Sequence, residues 1–417
     1  MTAPSRRGPA CPGLSRLLAA VIAGLLGWTA STAPADAQTP RRTQTVSERP
    51  RPLFDPIGIP MGPWGIFPSL TVSMEIDDNI FADDDIVRSD LAFVVEPALQ
   101  VREELEGVNV SALAFARTTQ YVDNRSESNE EFGIATRVDY EIDSTNVLGG
   151  AARFERQTVS RSDPEDAGLD EPLQRNLVDL QLNYGHTFGR LSLQVAGRAR
   201  IEDFLPADED AEDRQRYAGT TRLSYEISPR VDAFVEGQFS ALRYSSRLSD
   251  DGEANTYTAL VGSAFDLDGV IFGEVGVGVF REDFLDPAER DFTGLALNTS
   301  VDWNVTGLTT LRASLVRRDE ATRVDGATSR VRTEIGVGAT HELLRNLLVD
   351  VDASYRIDQF EGIDRSDQTV AIGAGVEYLF NRYLSAFARY EFTTRGSDDP
   401  DSDFVRNRGI LGITARL

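Results

Sequence analysis

A set of charged residues recurs at positions where a two-residue period would aim them to one side of a strand. They are Arg137, Arg198, Arg200, Arg222, Glu226, Glu274, Arg312, Asp352, Arg356, Arg389, Glu391, Arg406 and Arg408. Rings of fixed charge select what passes through a pore. The arginines also alternate with Asp139, Glu202, Glu236 and further acids on neighbouring stretches, so they could instead be cross-strand ion pairs. Both readings put them on a wetted inner face. The sequence has no lysine, so its fixed cations are all arginine. A guanidinium fork suits carboxylate and phosphate partners.

Other chemistry finds little support. Cys11, the only cysteine, precedes the first apolar run, so a mature chain would hold no thiolate ligand or nucleophile. His186 and His341 each lie just before a short turn. A barrel hydrolase needs a histidine near the opposite, long-loop rim beside a serine or an acid. We therefore read both as structural residues at an interface. Gly273, Gly276 and Gly278 fall inside a strand pattern and not between strand and helix, so they are no dinucleotide fingerprint. Strand glycines permit bending or close contact instead. Asp77-Asp78-Asn79 with Asp83-Asp84-Asp85, Asp208-Glu209-Asp210, and Asp398-Asp399 with Asp401 are acidic clusters that could hold Ca²⁺ or Mg²⁺, but none has EF-hand spacing. The plainer reading is solvated loops. No catalytic residue, metal site or cofactor is expected.

The elements that must position the charges are strands. Tyr257–Leu267 alternates apolar with polar residues, Asp268-Gly269 turns, and Val270–Phe280 answers. A period of two sends successive side chains to opposite faces. From residue 67 to 417 the pattern predicts eighteen strands, joined alternately by short turns (228–230, 268–269, 344–346, 380–382) and long acidic connections (158–174, 204–214, 245–254, 396–403). That asymmetry marks a transmembrane antiparallel β-barrel with its short turns in the periplasm. Hydrophobic content is only 41%. This fits strands that show lipid every second residue, and no later run is long enough for a spanning helix. A barrel of this size is too wide for its own side chains to fill. Phe67, Tyr121, Tyr140, Tyr184, Tyr217, Tyr225, Trp303, Tyr378 and Tyr383 sit near strand ends and could form interfacial girdles or, for some of them, ordinary cross-strand pairs.

Residues 1–37 read as a secretory signal: Arg6, Arg7 and Arg16, an apolar core from Leu17 to Ala30, and Ala35-Asp36-Ala37 for cleavage before Gln38. Residues 38–66 form a Pro/Arg-rich leader that predicts little regular structure. Its prolines, with Pro68, argue against helix and central strand alike. The leader could hang free, meet a partner or thread the lumen. The formal net charge of −25 becomes −27 without residues 1–37, which argues against nucleic acid. The expected surroundings are outer-membrane lipid and lipopolysaccharide, reached through the barrel assembly machinery. Leu417 ends the last strand where such strands usually close on Phe.

Arg51-Pro52-Leu53-Phe54-Asp55-Pro56-Ile57-Gly58-Ile59, Phe67-Pro68-Ser69-Leu70 and Asp77-Asp78-Asn79-Ile80-Phe81 resemble the opening of the putative beta-barrel porin type 2 family. The stretch from Gly273 to Gly278, Asp283-Phe284, Trp303 and Leu308-Thr309-Thr310-Leu311 is similar to its later half. The resemblance implies an outer-membrane barrel and supplies no catalytic motif, and we expect a barrel that is not an enzyme. Some members are encoded with exopolysaccharide synthesis and export systems. A pore or secretion conduit, with polysaccharide export components as partners, is therefore the first expectation. A general or specific small-solute porin is the second, and an outer-membrane hydrolase the third.

Overall fold

The computed structural model describes residues 44–105, 107–166, 171–205, 213–245 and 252–417. The strands are β1 (Ile59–Met61), β2 (Trp64–Asp77), β3 (Asp90–Leu105), β4 (Val108–Tyr121), β5 (Asn129–Glu141), β6 (Asn146–Thr158), β7 (Gln174–Phe188), β8 (Leu191–Phe204), β9 (Arg214–Ser228), β10 (Val231–Tyr244), β11 (Ala254–Leu267), β12 (Ile271–Phe284), β13 (Phe292–Thr306), β14 (Thr309–Glu320), β15 (Ser329–Leu344), β16 (Leu347–Glu361), β17 (Arg365–Asn381), β18 (Leu384–Ser397) and β19 (Phe404–Arg416). Each of β2 to β19 pairs antiparallel with its neighbours in sequence. β19 closes on β2 from Arg408↔Asp77 to Arg416↔Ser69. The result is a closed barrel of eighteen strands, as the alternation predicts. β1 is a short extra hairpin arm on β2.

Local chemistry explains the joints. In the β11–β12 turn, Asp268 (φ 57°) and Gly269 (φ 72°) both adopt the left-handed region, and the Val270 amide donates to the Leu267 carbonyl at 3.1 Å. That is the turn whose twist matches a hairpin. Pro60 falls in β1, inside the segment expected to have little regular structure, while Pro68 lies in the strand that the alternation predicts from residue 67. Pro68 sits one residue beyond the last pair that β2 makes with β19, where no donor is missed. Pro97 likewise falls where the β3–β4 ladder skips between Val95↔Thr118 and Ala98↔Phe115.

The outer face is apolar and exposed: Val72, Leu182, Val235, Val261, Val277, Val337, Leu411 and Ile413 are each about half accessible. A continuous band of this kind is a surface for hydrocarbon. No helix among the described residues is long and apolar enough to cross a membrane; the strands do so.

Candidate functional site

The lumen is where charge collects. On β8 the wall residues Arg198 and Arg200 both grip Asp179 of β7, the latter at 2.9 Å. Arg222 of β9 is nearly buried, lies 3.5 Å above the Phe234 ring, and reaches Glu274 (2.6 Å) and Glu236 (3.4 Å). Phe234 in turn lies over Gly262, where a Cβ would collide with its ring, and borders Gly276. The strand glycine therefore makes room for an aromatic, and the aromatic for a cation. Glu226 shares the inner face of β9, opposite Asp232.

The remaining expected charges also find partners on the inner wall. Arg137 meets Asp139 at 2.7 Å, and Arg312 meets Asp302 at 2.8 Å. Arg356 meets Asp358 at 3.1 Å. Arg389 bridges Asp350, Asp352 and Glu391 at 2.7–2.8 Å. Arg408 joins Glu391 (2.5 Å) and Glu75 (3.8 Å), and Arg406 joins Asp77 (2.5 Å). The cavity they enclose measures about 1190 Å³, and seventeen arginines and seventeen carboxylates line it. The chain's net charge of −25 therefore resides elsewhere.

Two segments fold inward at the long-loop end. The connection after β6 does not project outward, as its acidic composition suggests. Val159 and Leu173 pack with Phe204 at its base. Arg161 ties it to Glu127 (2.8 Å) and Asp166 (3.3 Å). Beyond them the strap crosses to β15, half a circuit away in the strand order. There Asp163 meets Arg330 (3.3 Å) and Arg332 (4.0 Å), and Glu165 meets Arg330 (3.8 Å) and Arg214 (3.5 Å). Ser162 accepts from Arg406 at 3.1 Å. Burial opposes ionisation of Asp163, but Arg330, Arg332 and Arg356 override it and hold the carboxyl well below its usual range. For Asp166 burial wins over Arg161 and pushes the carboxyl up to about 7.

The second inward segment is the tip of the β14–β15 hairpin. Asp319 accepts from Arg216 of β9 (3.2 Å) and Thr256 of β11 (3.1 Å). Ser329 donates to Glu282 of β12 at 3.0 Å. Ala321 packs on Leu242 and Tyr244 of β10. Arg323 lies over Phe204 and donates to the Glu165 carbonyl at 2.9 Å, so strap and hairpin tip meet in mid-lumen. Strand Arg317-Arg318-Asp319-Glu320 carries charge at both parities. No rotation of it could offer lipid an apolar face, which is a signal for departure from the wall that the period-two reading passes over.

The opposite, short-turn end is partly covered by the leader. A 3-10 turn at Val46–Glu48 buries Val46 fully. The Val46 amide donates to Thr310 Oγ1 (2.9 Å), Arg51 pairs with Glu342 (3.2 Å), and Arg382 and Arg416 donate to the carbonyls of Pro52 and Phe54 (3.4 Å each). Thr45 and Ser47 line the lumen.

Both histidines lie at the short-turn end. His186 shares a hydrogen bond with Asn146 (2.6 Å) and an edge contact with Phe188, and His341 shares one with Thr309 (2.9 Å). The cluster around Asp77 is consumed internally, by Arg406, by Asn407 and by backbone amides. Among the described residues no group of acids or histidines is arranged to hold a metal. Asp208-Glu209-Asp210, like residues 1–43, lie outside the described residues. Tyr140, Tyr184, Tyr217, Tyr225, Trp303, Tyr378 and Tyr383 face outward, in the position of a girdle. Tyr121 instead lines the lumen and Phe67 covers Gly58 and Gly65, so these two are not girdle residues.

The family model described as Putative beta-barrel porin 2 matches residues 51–417. No curated protein matches. Among solved structures, OpdL of Pseudomonas aeruginosa is 11% identical and covers 86% of this chain and 100% of its own, with a TM-score of 0.44. OccAB4 of Acinetobacter baumannii is 10% identical over 84% and 98%, with a TM-score of 0.44. A BenF-like porin from Pseudomonas fluorescens Pf-5 is 11% identical over 84% and 99%, with a TM-score of 0.46.

Proposed function

The chain belongs to the putative beta-barrel porin 2 family, and from that premise we propose that it is an outer-membrane diffusion channel for small polar solutes. The short turns then face the periplasm and the strap and hairpin tip face outward. The observation that carries this reading is the balanced, ion-paired lumen of about 1190 Å³. A lumen with equal numbers of fixed cations and anions gives permeants partners of either sign and no strong net field. It therefore predicts weak preference between small cations and small anions.

Export of an exopolysaccharide is the second reading, supported by the width of an eighteen-strand wall. Two segments of the chain itself cross the lumen, which favours small solutes over a polymer. Planar-bilayer recording of the purified barrel tests both. The expected result is a conductance with a reversal potential near zero in a KCl gradient, with uptake into liposomes falling steeply as solute size rises. Absence of conductance, even with residues 38–56 deleted, would overturn the channel. Passage of oligosaccharides with little dependence on length would favour the conduit.

A further inference from the structure

Among the described residues, the wall ladder stops furthest short of its strand ends at the β13–β14 joint. β13 and β14 pair only from Thr306↔Thr309 up to Leu297↔Arg317. Above that, Phe292–Ala296 keep their bonds to β12, and Arg318–Glu320 keep theirs to β15. No described residue completes the ladder between the two. Five residues of strand edge are thus open, about 17 Å at the usual rise. The neighbouring joints show what closure looks like: on this side β15–β16 pairs to the ends of both strands, and β12–β13 and β16–β17 pair to within two residues of theirs.

The gap and the obstruction of the lumen have one cause. β14 cannot pair with Phe292–Ala296 while Asp319 is held by Arg216 and Thr256, on strands five and three places away. Continuing the existing register would set Ala296 against Arg318, Leu295 against Asp319 and Gly294 against Glu320. Asp319 must let go of Arg216 and Thr256 to join the wall, whereas Arg318 and Glu320 keep partners within the hairpin itself. The open edge carries unpaired amides and carbonyls, a cost that rises toward the hydrocarbon. Arg317 sits at the foot of the gap and donates to Thr333 and Gln359 on adjacent strands. That polar row places the gap at the membrane surface, where water can satisfy the edge. On the lumen side the seat is also imperfect, since Arg330 Nε finds no hydrogen-bond partner. Neither placement satisfies every group, which is the condition for a two-state element.

Resting on the channel reading, we propose that the β14–β15 hairpin tip is a gate that exchanges between lumen and wall. Seated inward, it packs Val331 into the cluster of Phe234, Leu260, Phe280 and Ala296, meets the strap, and leaves the side of the barrel open. Swung outward, it completes the β13–β14 ladder and clears the lumen. Permeation and wall closure are then one event.

Disulfide trapping tests the exchange, because the only native cysteine is Cys11. In the Cys11→Ser background, Ala296→Cys with Arg318→Cys would lock the tip into the wall, and Thr256→Cys with Asp319→Cys would lock it inward. Leu295→Cys with Asp319→Cys repeats the wall lock should the first pair fail to fold. Folding is read by heat-modifiable gel migration. Both locks are expected to form in the folded barrel, the wall lock raising single-channel conductance about twofold or more and the inward lock lowering it, with reductant reversing each. Formation of the inward lock alone, with neither wall pair cross-linking in a folded barrel, overturns the gate. So does a wall lock that forms and leaves the current of a conducting channel unchanged. If both locks form and no variant conducts, the exchange stands and the channel reading fails.

Discussion

At the long-loop end, Asp163 and Glu165 reach to Arg214, Arg330 and Arg332, whereas at the short-turn end the segment from Thr45 to Phe54 is held by the Arg51–Glu342 pair and by bonds that involve the backbone. The first closure is made of buried charge. The second combines the single Arg51–Glu342 contact with Val46, Thr310 and bonds to backbone carbonyls. Buried charge is cheap only while every partner is present, so removing one partner is severe. A peptide segment laid over a mouth suffers little when a single bond goes. The loop end is thus built to switch between distinct states, and the turn end to be a steady partial cover.

The largest expected effect follows from breaking the charged clasp. Asp163→Ala removes the strap's carboxylate from Arg330 and Arg332, which keep Glu320, Glu165 and Asp358 as partners, so the cost should stay below the roughly 3–5 kcal/mol of an uncompensated buried charge. The strap should leave the lumen, raising conductance and exposing residues 158–166 to protease in intact cells. Unchanged conductance and protease resistance would show that the strap is held by its apolar base alone. Next in size is deletion of residues 38–56. It should raise conductance by roughly half to twofold while heat-modifiable migration and protease resistance of the strap stay as they were. If the deletion instead disrupts barrel folding, the leader is structural and the contrast between the two mouths fails. A smaller effect should follow from salt. Raising KCl from 0.1 to 1 M shortens the Debye length from about 10 Å to about 3 Å, which loosens the outer rim of the clasp and leaves the leader untouched. Strap proteolysis should quicken modestly, and leader proteolysis should not.

The sequence reveals these two regions unequally. The eighteen strands, their alternating connections and the inward charges follow from a period of two that every barrel strand must obey, because lipid and water lie on opposite sides. Parity alone places Arg222, Arg389 and Arg408 on the lumen side. It does not give their partners, since Arg222 reaches Glu274 three strands away by lying over Phe234. The strap is acidic and polar, the composition of a solvated loop, and water fills the lumen as it does the exterior. Composition therefore cannot say on which side of the rim it rests. Tyr121 defeats the girdle expectation for a related reason: a ring with a hydroxyl is as satisfied above a wet lumen as at a lipid interface. The leader's prolines say that it is irregular, not where it lies.

The smallest effect concerns pH and touches only the loop end. Burial pushes Asp166 up to about 7, against the pull of Arg161 and with the push of Glu127 and Asp163. Its ordinary value is 3.8, so the folded strap prefers the protonated form. A raised acid contributes full stability below its unfolded value and loses it as pH climbs through the folded value. Between pH 6 and pH 8 the strap's seat should therefore weaken, as a charge develops where the Leu173 amide and Arg161 are the nearby donors. Asp163 moves the other way but titrates far below this window and stays ionised throughout. Conductance should rise by roughly a quarter from pH 6 to pH 8, and Asp166→Asn, which keeps the acceptor for the Leu173 amide without the charge, should flatten that rise. Deleting the leader should leave the slope intact. A pH dependence that vanished with the leader would place the titrating group at the turn end and erase the distinction between the two closures.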